Sequence, residues 1–482
     1  MSIKKNFLYN SILTLSGYFF PLLTYPYVSR VLGVSNIGIC NFIDSIVNYF
    51  MLFSMMGIAT VGMREIALHR DNRQEMSRHF AGLIVLNLTS TILAIIVLIG
   101  SMYLVPALFP YRRLLFIGVC KLFFNLLMIE WLFAGIENFE YITKRSITVR
   151  AVYVVLIFVF IQSPDDYELY YFLTVSSYLT NGIINIFYSR HYINFSLRGI
   201  SIKPYLGPFL TIGFYMLITN VYTSLNVVWL GFASGTKEVG YYTTATKLYT
   251  IILSMFTALT NVIFPRVTQL YSTGNMTEYW SKINKATEIV FVTAIPIVIF
   301  LFIFSDNLVH LLAGDGYEGA YTPFRIISPL ILIVGYEQVL VIQILMSMQR
   351  DKRITINSVC GAIVSIVFNI LIVSHLGAIG TSIVWLTSEM VITTLSLHAI
   401  YHYTSYRIPV NTLTKNIAIN IPLVIILYLL NYSLNIPNII LLAIASIVTA
   451  LYAIYTQYRW LKNELVIQLW DNAISIVKNI YK

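Results

Sequence analysis

Six ionisable side chains interrupt long apolar stretches of this sequence. They are four acids and two lysines: Asp44, Lys121, Glu130, Lys247, Glu337 and Glu389. A charged group among hydrocarbon costs about 3 kcal/mol or more unless it faces protein or water, so such residues are functional candidates. We expect the acids to hold a proton or Na⁺ or to act as a gate, and the lysines to bind an anion. For each of the six, a structural ion pair between neighbouring helices is the alternative, and Lys121, Glu337 and Glu389 have no supporting pattern against it.

Arg30 is the sharpest candidate for binding an anion. It is the one charge in a short turn that follows an apolar stretch containing Pro21 and Pro26. A guanidinium group matches the oxygen pair of a phosphate with two parallel hydrogen bonds. The alternative is an arginine whose charged head reaches interfacial water while its stem lies in apolar surroundings.

Two further pairs are suggested by similar stretches that lie 202 residues apart. Asp44 and Lys247 occupy nearly equivalent positions, so we predict that they form a gate salt bridge or line a cavity. Arg64 and Arg266 are equivalent to each other, and each lies just beyond an apolar stretch. For these two arginines, anchoring at anionic lipid headgroups and contact with a ligand both remain open.

Patterns typical of other sites are missing. Cys40, Cys120 and Cys360 are far apart and form no CxxC motif, so we predict neither a disulfide framework nor a zinc site. The glycines of GIATVGMR are spaced like a nucleotide-binding loop, but Met63 and Arg64 replace its Lys-Ser/Thr pair. The sequence contains no HExxH motif and no evident catalytic set, and we predict no metal and no cofactor.

The composition indicates a membrane protein. Hydrophobic residues make up 58% of the chain and charged residues 11%, whereas soluble domains carry about 25% charged residues. The apolar residues come in runs of about twenty, which is the length of a helix that crosses a bilayer core. The formal net charge of +10 is explained by basic cytoplasmic loops. We do not expect nucleic-acid binding, because no polar domain interleaves basic residues with aromatics.

Fourteen apolar spans predict an all-α integral membrane protein. They cover about residues 7–28, 40–61, 80–104, 114–135, 147–162, 168–188, 207–231, 241–264, 287–305, 325–347, 355–374, 378–400, 412–431 and 437–456. With the N-terminus inside, most of the 31 Lys and Arg residues fall in inner loops and tails, as the positive-inside rule requires. We therefore predict that both termini are cytoplasmic.

Two glycines and one arginine repeat at a fixed spacing, which predicts a duplicated six-helix unit. The repeated residues are Gly33, Gly38 and Arg64 in the first half and Gly235, Gly240 and Arg266 in the second. Each set encloses one apolar span without insertion or deletion. Helices 1 and 7 both begin inside, so the two pseudo-symmetric bundles are parallel and related by an axis along the membrane normal.

The duplication divides the chain into three predicted regions. An N-terminal six-helix lobe covers residues 1–200, and a second six-helix lobe covers residues 201–405. Residues 406–482 hold the accessory helices 13 and 14 and a cytoplasmic tail. No appended soluble domain is predicted, since even the longest outer segment, about 306–324, is short.

Several segments resemble a known transporter family. FPLLTYPYVSRVLGVSNIG, GIATVGMREIA, IEWLFAGIENFEYIT and VGYYTTATKL, which fall within helices 1–8, are similar to O-antigen flippases of the Wzx type. These flippases form the polysaccharide transport branch of the superfamily that also contains the MATE exporters and the lipid II flippase. Arg30 in SRVLG resembles an arginine setting of the lipid II flippase, and Glu130 fits an acid of the IEWLFAG segment. Glu337 matches no family motif.

The resemblance implies a transporter of the bacterial inner membrane rather than an enzyme. Its cargo would be an undecaprenyl-pyrophosphate-linked oligosaccharide, moved outward by alternating access with H⁺ or Na⁺ coupling, and a polysaccharide polymerase would act downstream. The cations named above would bind the substrate. Two alternatives remain: a MATE-like antiporter of small molecules, and a polyprenyl-linked glycosyltransferase or polymerase that uses Asp165 and Asp166. The sequence does not determine the sugar, the coupling ion or the oligomeric state.

Overall fold

The computed structural model describes residues 3–194, 200–433 and 436–461. Within these ranges all regular structure is helical and there is no strand. The prediction of an all-α protein is therefore confirmed. The tail beyond residue 461, which was predicted to be cytoplasmic, lies outside the described residues.

The first half of the described chain consists of long helices joined by short turns. They are α1 (Ile3–Met55), α2 (Ile58–His69), α3 (Arg73–Leu104), α4 (Arg112–Leu126), α5 (Glu130–Gly135), α6 (Phe139–Phe160) and α7 (Tyr167–Ser189). Two 3₁₀ turns, Pro106–Tyr111 and Pro164–Asp166, connect α3 to α4 and α6 to α7.

The second half has the same character and ends in an extra group of helices. It contains α8 (Lys203–Ser234), α9 (Thr236–Ser272), α10 (Met276–Ile303), α11 (Ser305–Ala313), α12 (Tyr321–Ile327), α13 (Leu330–Gln338), α14 (Asp351–Phe368) and α15 (Ser374–Tyr403), followed by α16 (Val410–Ile419), α17 (Ile421–Ser433) and α18 (Asn438–Arg459). Two π-helical stretches, Val339–Met346 and Asn369–Val373, follow α13 and α14. Such widened turns often occur at functional sites.

Nine segments of the described chain are long and apolar enough to cross a bilayer. Two of them contain two predicted spans each, because a non-helical glycine breaks the helix. Gly33 interrupts Leu8–His69, and Gly377 interrupts Asp351–Tyr403. The chain is thus a multi-pass membrane protein, while the number of fourteen spans stays a prediction.

Helix α6 begins earlier than the hydropathy indicated, at Phe139 rather than near residue 147. Asn138 caps this helix by accepting a hydrogen bond from a backbone N–H of its first turn. The first two turns carry charged side chains, which hide them from a search for apolar runs. As a result, Arg145 lies within the helix rather than in the preceding loop.

The repeated glycines adopt the same backbone conformation in both copies. Gly33 has φ 73° and ψ 168°, and Gly235 has φ 90° and ψ 170°. These positive φ values are readily accessible only to glycine. The chain therefore makes the same sharp turn between consecutive helices at both positions.

The second pair of repeated glycines forms a close crossing between α1 and α9. A methyl group on Gly38 would overlap the carbonyl oxygen of Thr236, and one on Gly240 would overlap that of Val34. These two contacts are equivalent under the repeat, which is the pattern expected around a two-fold axis. The repeat therefore exists as a local pseudo-two-fold at this crossing.

A hydrogen bond between repeat-equivalent residues supports this symmetry. Asn41 Nδ2 donates to Thr243 Oγ1 at 2.8 Å, and the two residues are 202 positions apart. A direct bond between equivalent positions is possible only near the axis that relates them. The spacing read from the sequence thus agrees with the contacts at this crossing.

The chain forms two compact units. The first comprises Met1–Thr243, Leu312–Tyr317 and Ser365–Thr381, and the second comprises Thr244–Leu311, Glu318–Val364 and Ser382–Lys482. The α1–α9 crossing lies within the first unit. The domain boundaries that we predicted from the sequence stay predictions.

Each unit has its own apolar packing. In the first unit, Trp131 of α5 stacks on Phe80 of α3 with ring centroids 5.3 Å apart, and Gly62 of α2 packs against the same indole. In the second unit, Phe304 packs among leucines of α17 and α18, including Leu423. These contacts fix the rotation of the helices and hence the direction of their charged side chains.

Candidate functional site

A buried ion pair in the first unit joins two of the predicted site residues. Lys121 Nζ of α4 lies 2.5 Å from Asp44 Oδ1 of α1 and 2.9 Å from Asn48 Oδ1. The Tyr171 hydroxyl donates to the same carboxylate oxygen at 3.3 Å. The ammonium group also lies 5.0 Å from the ring centroid of Tyr178, a cation–π distance.

The two side chains of this ion pair are buried to different extents. The Lys121 side chain is 2% exposed, whereas that of Asp44 is 31% exposed. A close approach of α4 to α1 permits the contact, because Gly118, one turn before Lys121, packs against Val47. Lys121 thus forms the ion pair between neighbouring helices that was named as the alternative to a functional role. Binding of substrate by Lys121 stays a prediction.

A second charged cluster contains Glu130. Arg145 of α6 donates to the Glu130 carboxylate, to Asn185 Oδ1 and, at 2.8 Å, to Ser146 Oγ. The Arg145 side chain is 3% exposed and that of Glu130 is 40% exposed. The Tyr141 hydroxyl donates to Asn185 Oδ1 at 3.2 Å. Glu130 is therefore one member of a hydrogen-bonded network that links α5, α6 and α7.

A cavity of about 620 Å³ adjoins this network, with Lys144, Arg145, Tyr141 and Tyr188 among its lining residues. Arg145 Nε is buried there without a hydrogen-bond partner. Glu140 also lines the cavity and pairs with Lys144, so the charges are of both signs, while the aromatic faces suit a sugar ring.

Sequence reasoning missed two arginines of α6: Arg145 lies before the predicted span 147–162, and Arg150 lies inside that span but was not singled out as a candidate. Arg150 donates to the Leu13 carbonyl oxygen at 3.1 Å and to the Ser16 hydroxyl. It is half-buried between α6 and α1. The missed signal was Asn138, a favoured cap residue that marks the true start of α6.

Glu337 and Glu389 form a carboxyl pair inside the second unit. The two carboxyl groups are close enough to interact, one on α13 and the other on α15. Trp385 Nε1 donates to Glu389 Oε1 at 2.9 Å, and the Thr393 hydroxyl donates to Glu337 Oε2 at 3.4 Å. The structure thus brings together two acids that the sequence could not relate to each other.

Arg30 lies exposed at the end of the first helical stretch of α1. Its Nη1 donates to the Pro26 carbonyl oxygen at 2.6 Å, and its stem packs against Gly314. The Tyr317 hydroxyl donates to the Ser29 carbonyl oxygen at 3.2 Å. Through these contacts Arg30 packs against the segment Leu312–Tyr317 of the same unit. Its role as a phosphate-binding group stays a prediction.

The remaining predicted cations lie on helix surfaces. Arg64 pairs with Glu65 at 3.0 Å, and Arg266 pairs with Glu278 at 2.8 Å. Both arginine side chains are about half exposed, at 54% and 51%. Lys247 is half-buried on α9, and its pairing with Asp44 stays a prediction.

Asp166 has a structural role in the turn between α6 and α7. Its carboxylate accepts hydrogen bonds from the backbone N–H groups of Gln162 at 2.9 Å and Ser163 at 2.7 Å. These bonds to the charged form lower the pKa of Asp166 below its usual value. The contacts favour a capping residue over a metal ligand of a glycosyltransferase.

Comparison with known proteins gives matches over most of the chain. The family model described as polysaccharide biosynthesis protein matches residues 3–271, and the MatE model matches residues 212–371. The first match covers more than half of the chain.

Two curated relatives carry names that describe an O-antigen transporter. One, from Escherichia coli K12, is 25% identical over 406 residues, which cover 82% of this chain and 96% of the relative. The other, from Shigella dysenteriae, is 26% identical over 416 residues, which cover 83% and 100%. Among solved structures, the lipid II flippase MurJ in its inward closed conformation has a TM-score of 0.75 at 14% identity, covering 95% of this chain and 100% of that structure. At that identity the likeness establishes the fold.

Proposed function

Because the chain belongs to the polysaccharide biosynthesis protein family, we propose that it is a flippase for a lipid-linked oligosaccharide. The cargo in this proposal is an oligosaccharide repeat unit, such as an O-antigen unit, on undecaprenyl pyrophosphate. The protein moves it across the cytoplasmic membrane by alternating access. The names of the full-length relatives support the substrate class.

The observation that carries the proposal is the presence of two buried, paired cations in the first unit, Lys121 within the apolar segment Pro106–Gly135 and Arg145 near the start of α6. Lys121 and Arg145 are almost completely buried, yet each is matched by an acid that remains partly exposed. Charges at this depth are expensive to maintain and mark the paths of polar cargo or ions. A sugar diphosphate cannot cross hydrocarbon unaided, because its polar groups lose their hydration.

In this proposal the cations replace water around the diphosphate. Arg30 offers a planar donor pair to phosphate oxygens, and Lys121, Lys247, Arg64 and Arg266 contribute further positive charge. The polyprenyl tail stays in the lipid. A polysaccharide polymerase uses the product on the outer face, and both termini of the chain lie in the cytoplasm.

We further propose that Glu337 and Glu389 hold the coupling ion, with a proton as the first candidate. Two neighbouring carboxyl groups bind one proton more readily than they accommodate two negative charges. Inward flow of that ion resets the transport cycle. Asp44 and Glu130 are paired with cations and act as gating or positioning groups.

The experiment that tests flipping is gene deletion followed by leaflet-resolved analysis of lipid-linked sugars. We expect complete repeat units to accumulate on the cytoplasmic leaflet and to be cleared by the wild-type gene. The Arg30→Ala variant should fail to clear them, whereas Arg113→Ala, which alters another exposed arginine, should succeed. Normal surface polymer in the deletion strain would exclude the proposed function.

A MATE-like antiporter is the second candidate, because the MatE model matches residues 212–371. That function predicts resistance to small cationic compounds when the gene is overexpressed. A strain that gains such resistance and shows no accumulation of lipid-linked sugars after deletion would favour it over the flippase.

A further inference from the structure

One group of three metal-binding side chains occurs among the residues that the structure describes. It consists of Glu65, His69 and His79, and one ligand atom from each lies within 4.8 Å of the others. Glu65 and His69 are one turn apart on α2 and therefore share a face of that helix. His79 lies in the second turn of α3, just across the short turn that joins the two helices.

The two histidine rings lie against each other beside Glu65, and the contacts of His69 leave one of its ring nitrogens available for an ion. The rings of His69 and His79 stack with centroids 3.8 Å apart, and His79 Nδ1 lies 3.6 Å from Glu65 Oε2. His69 Nδ1 lies 2.9 Å from the backbone oxygen of Glu65. A carbonyl oxygen only accepts, so Nδ1 carries the proton and Nε2 of the neutral ring presents its lone pair. Metal-ligating histidines usually have such a backbone partner.

A residue of a third helix supports the cluster. The hydroxyl of Tyr205 on α8 lies 2.8 Å from His79 Nδ1, and Tyr205 is 6% exposed. Gly82 makes room for it, since a methyl group there would lie 2.8 Å from Tyr205 Cε2. The side chains of Glu65 and His79 are 15% and 19% exposed, so an ion can reach them from solution.

We propose that Glu65, His69 and His79 bind a divalent transition-metal ion, with Zn²⁺ as the best match. Two imidazoles and a carboxylate form a common zinc ligand set, in which water or another residue takes the fourth position. Mg²⁺ and Ca²⁺ prefer all-oxygen sites. Zn–N bonds of about 2.0–2.1 Å place the donors about 3.4 Å apart, so the side chains close by roughly 1 Å on binding.

The ion ties α2 to α3 at the turn that joins them. The repeat-equivalent positions on α9 are Val267 and Tyr271, and counting from the helix caps Asn72 and Asn275 the equivalent of His79 is Lys282; none is a usual zinc ligand. The site therefore belongs to the first half alone and is not part of the duplicated scaffold. The inference departs from our sequence-based prediction of no metal, which relied on cysteine pairs and contiguous motifs, and it does not depend on the proposed cargo.

The test is zinc binding by the full chain in detergent, purified with a tag that contains no histidine. After chelation, Zn²⁺ alone is titrated by calorimetry, and Co²⁺ is titrated by visible absorption. We expect one ion per chain, a rise in the thermal unfolding midpoint on adding Zn²⁺, and absorption bands of a four-coordinate Co²⁺ complex. His69→Asn and His79→Asn should each weaken binding at least tenfold.

Matched variants separate a metal site from a hydrogen-bond network. His191→Asn, which alters an exposed histidine on the turn after α7, should leave zinc affinity unchanged. Tyr205→Phe removes the hydroxyl contact to His79 but keeps both histidines, so it should retain one zinc ion. The proposal is overturned if the wild-type chain binds no stoichiometric zinc. It is also overturned if the double variant His69→Asn/His79→Asn, shown to be folded by size exclusion, binds zinc as tightly as the wild type.

Discussion

At the scale of single residues, the buried charges of the first unit are arranged as pairs. Lys121 meets Asp44 and Arg145 meets Glu130, and in both pairs the cation is buried while the acid is partly exposed. The acid is therefore the member that solvent or a ligand reaches first. Asp44 is thus the more accessible member of its pair in this conformation.

We predict that Asp44→Asn destabilises the protein more than Lys121→Met does. The first change leaves a buried ammonium group without its counter-charge, which costs about 3–5 kcal/mol. The second leaves a carboxylate that is 31% exposed and keeps Tyr171 as a donor, so its cost is smaller. The double variant should recover part of the loss. Thermal unfolding in detergent measures all three.

The control for this series is Asp71→Asn, which alters an exposed aspartate in the turn between α2 and α3. It should leave the unfolding midpoint unchanged. If Asp44→Asn shifts the midpoint no more than the control does, the Asp44–Lys121 pair is not a structural element.

At the scale of elements, the crossing of α1 and α9 contains two contacts that are equivalent under the internal repeat. Gly38 and Gly240 bring each helix against a carbonyl oxygen of the other, and Asn41 bonds to its own repeat equivalent, Thr243. Small residues at helix crossings allow the close backbone approach on which packing in membranes depends. The crossing therefore has no room for a side chain on either glycine.

We predict that Gly38→Ala and Gly240→Ala each destabilise the chain by about 1–3 kcal/mol through overpacking. The two effects should be similar, since the two contacts are equivalent. Unfolding midpoints and the yield of monodisperse protein provide the measurement.

Gly100→Ala on α3 and Gly207→Ala on α8 are matched controls, because a methyl group at either position would have no neighbour within 4 Å. Alanine favours a helix over glycine by roughly 0.5–1 kcal/mol, so these variants should be neutral or slightly stabilised. Equal losses for all four variants would contradict a special role for the crossing.

At the scale of the whole molecule, the proposed transport cycle links an ion held in the second unit to cargo moved across the membrane. Glu337 and Glu389 are the two neighbouring acids that we propose for that ion. If a proton and the cargo influence the same equilibrium between states, each changes the binding of the other by the same factor. Coupling of this kind is a property of the complete chain.

We predict that an imposed proton gradient changes the flipping rate of the wild type in vesicles, because proton movement then drives the change between states. Glu337→Gln and Glu389→Gln should each remove that dependence, because either change breaks the shared carboxyl pair. The measurement is leaflet-resolved transport of a lipid-linked oligosaccharide with the gradient imposed and collapsed.

Glu137→Gln is the control, since that acid is 51% exposed and pairs with Arg70 on the surface. Its gradient dependence should match the wild type. A wild-type rate that is the same with every gradient collapsed would remove ion coupling from the proposal while leaving flipping itself intact.

The sequence by itself determined that this is an α-helical multi-pass membrane protein with an internal repeat. Helix-length apolar runs and loop charges are local properties of the chain, and the bilayer acts on them directly. The repeated glycines at 33 and 235 are likewise a local signal, because a backbone position with positive φ favours glycine wherever it occurs. The resemblance carried by the N-terminal segments likewise pointed to the family.

The tertiary structure alone decided which charges meet. Asp44 faces Lys121, Glu130 faces Arg145, Glu337 faces Glu389, and His69 stacks on His79. These partners lie on different helices, and their meeting depends on how each helix is rotated about its axis. That rotation is set by the packing of many side chains against neighbouring helices, which no single stretch of sequence encodes.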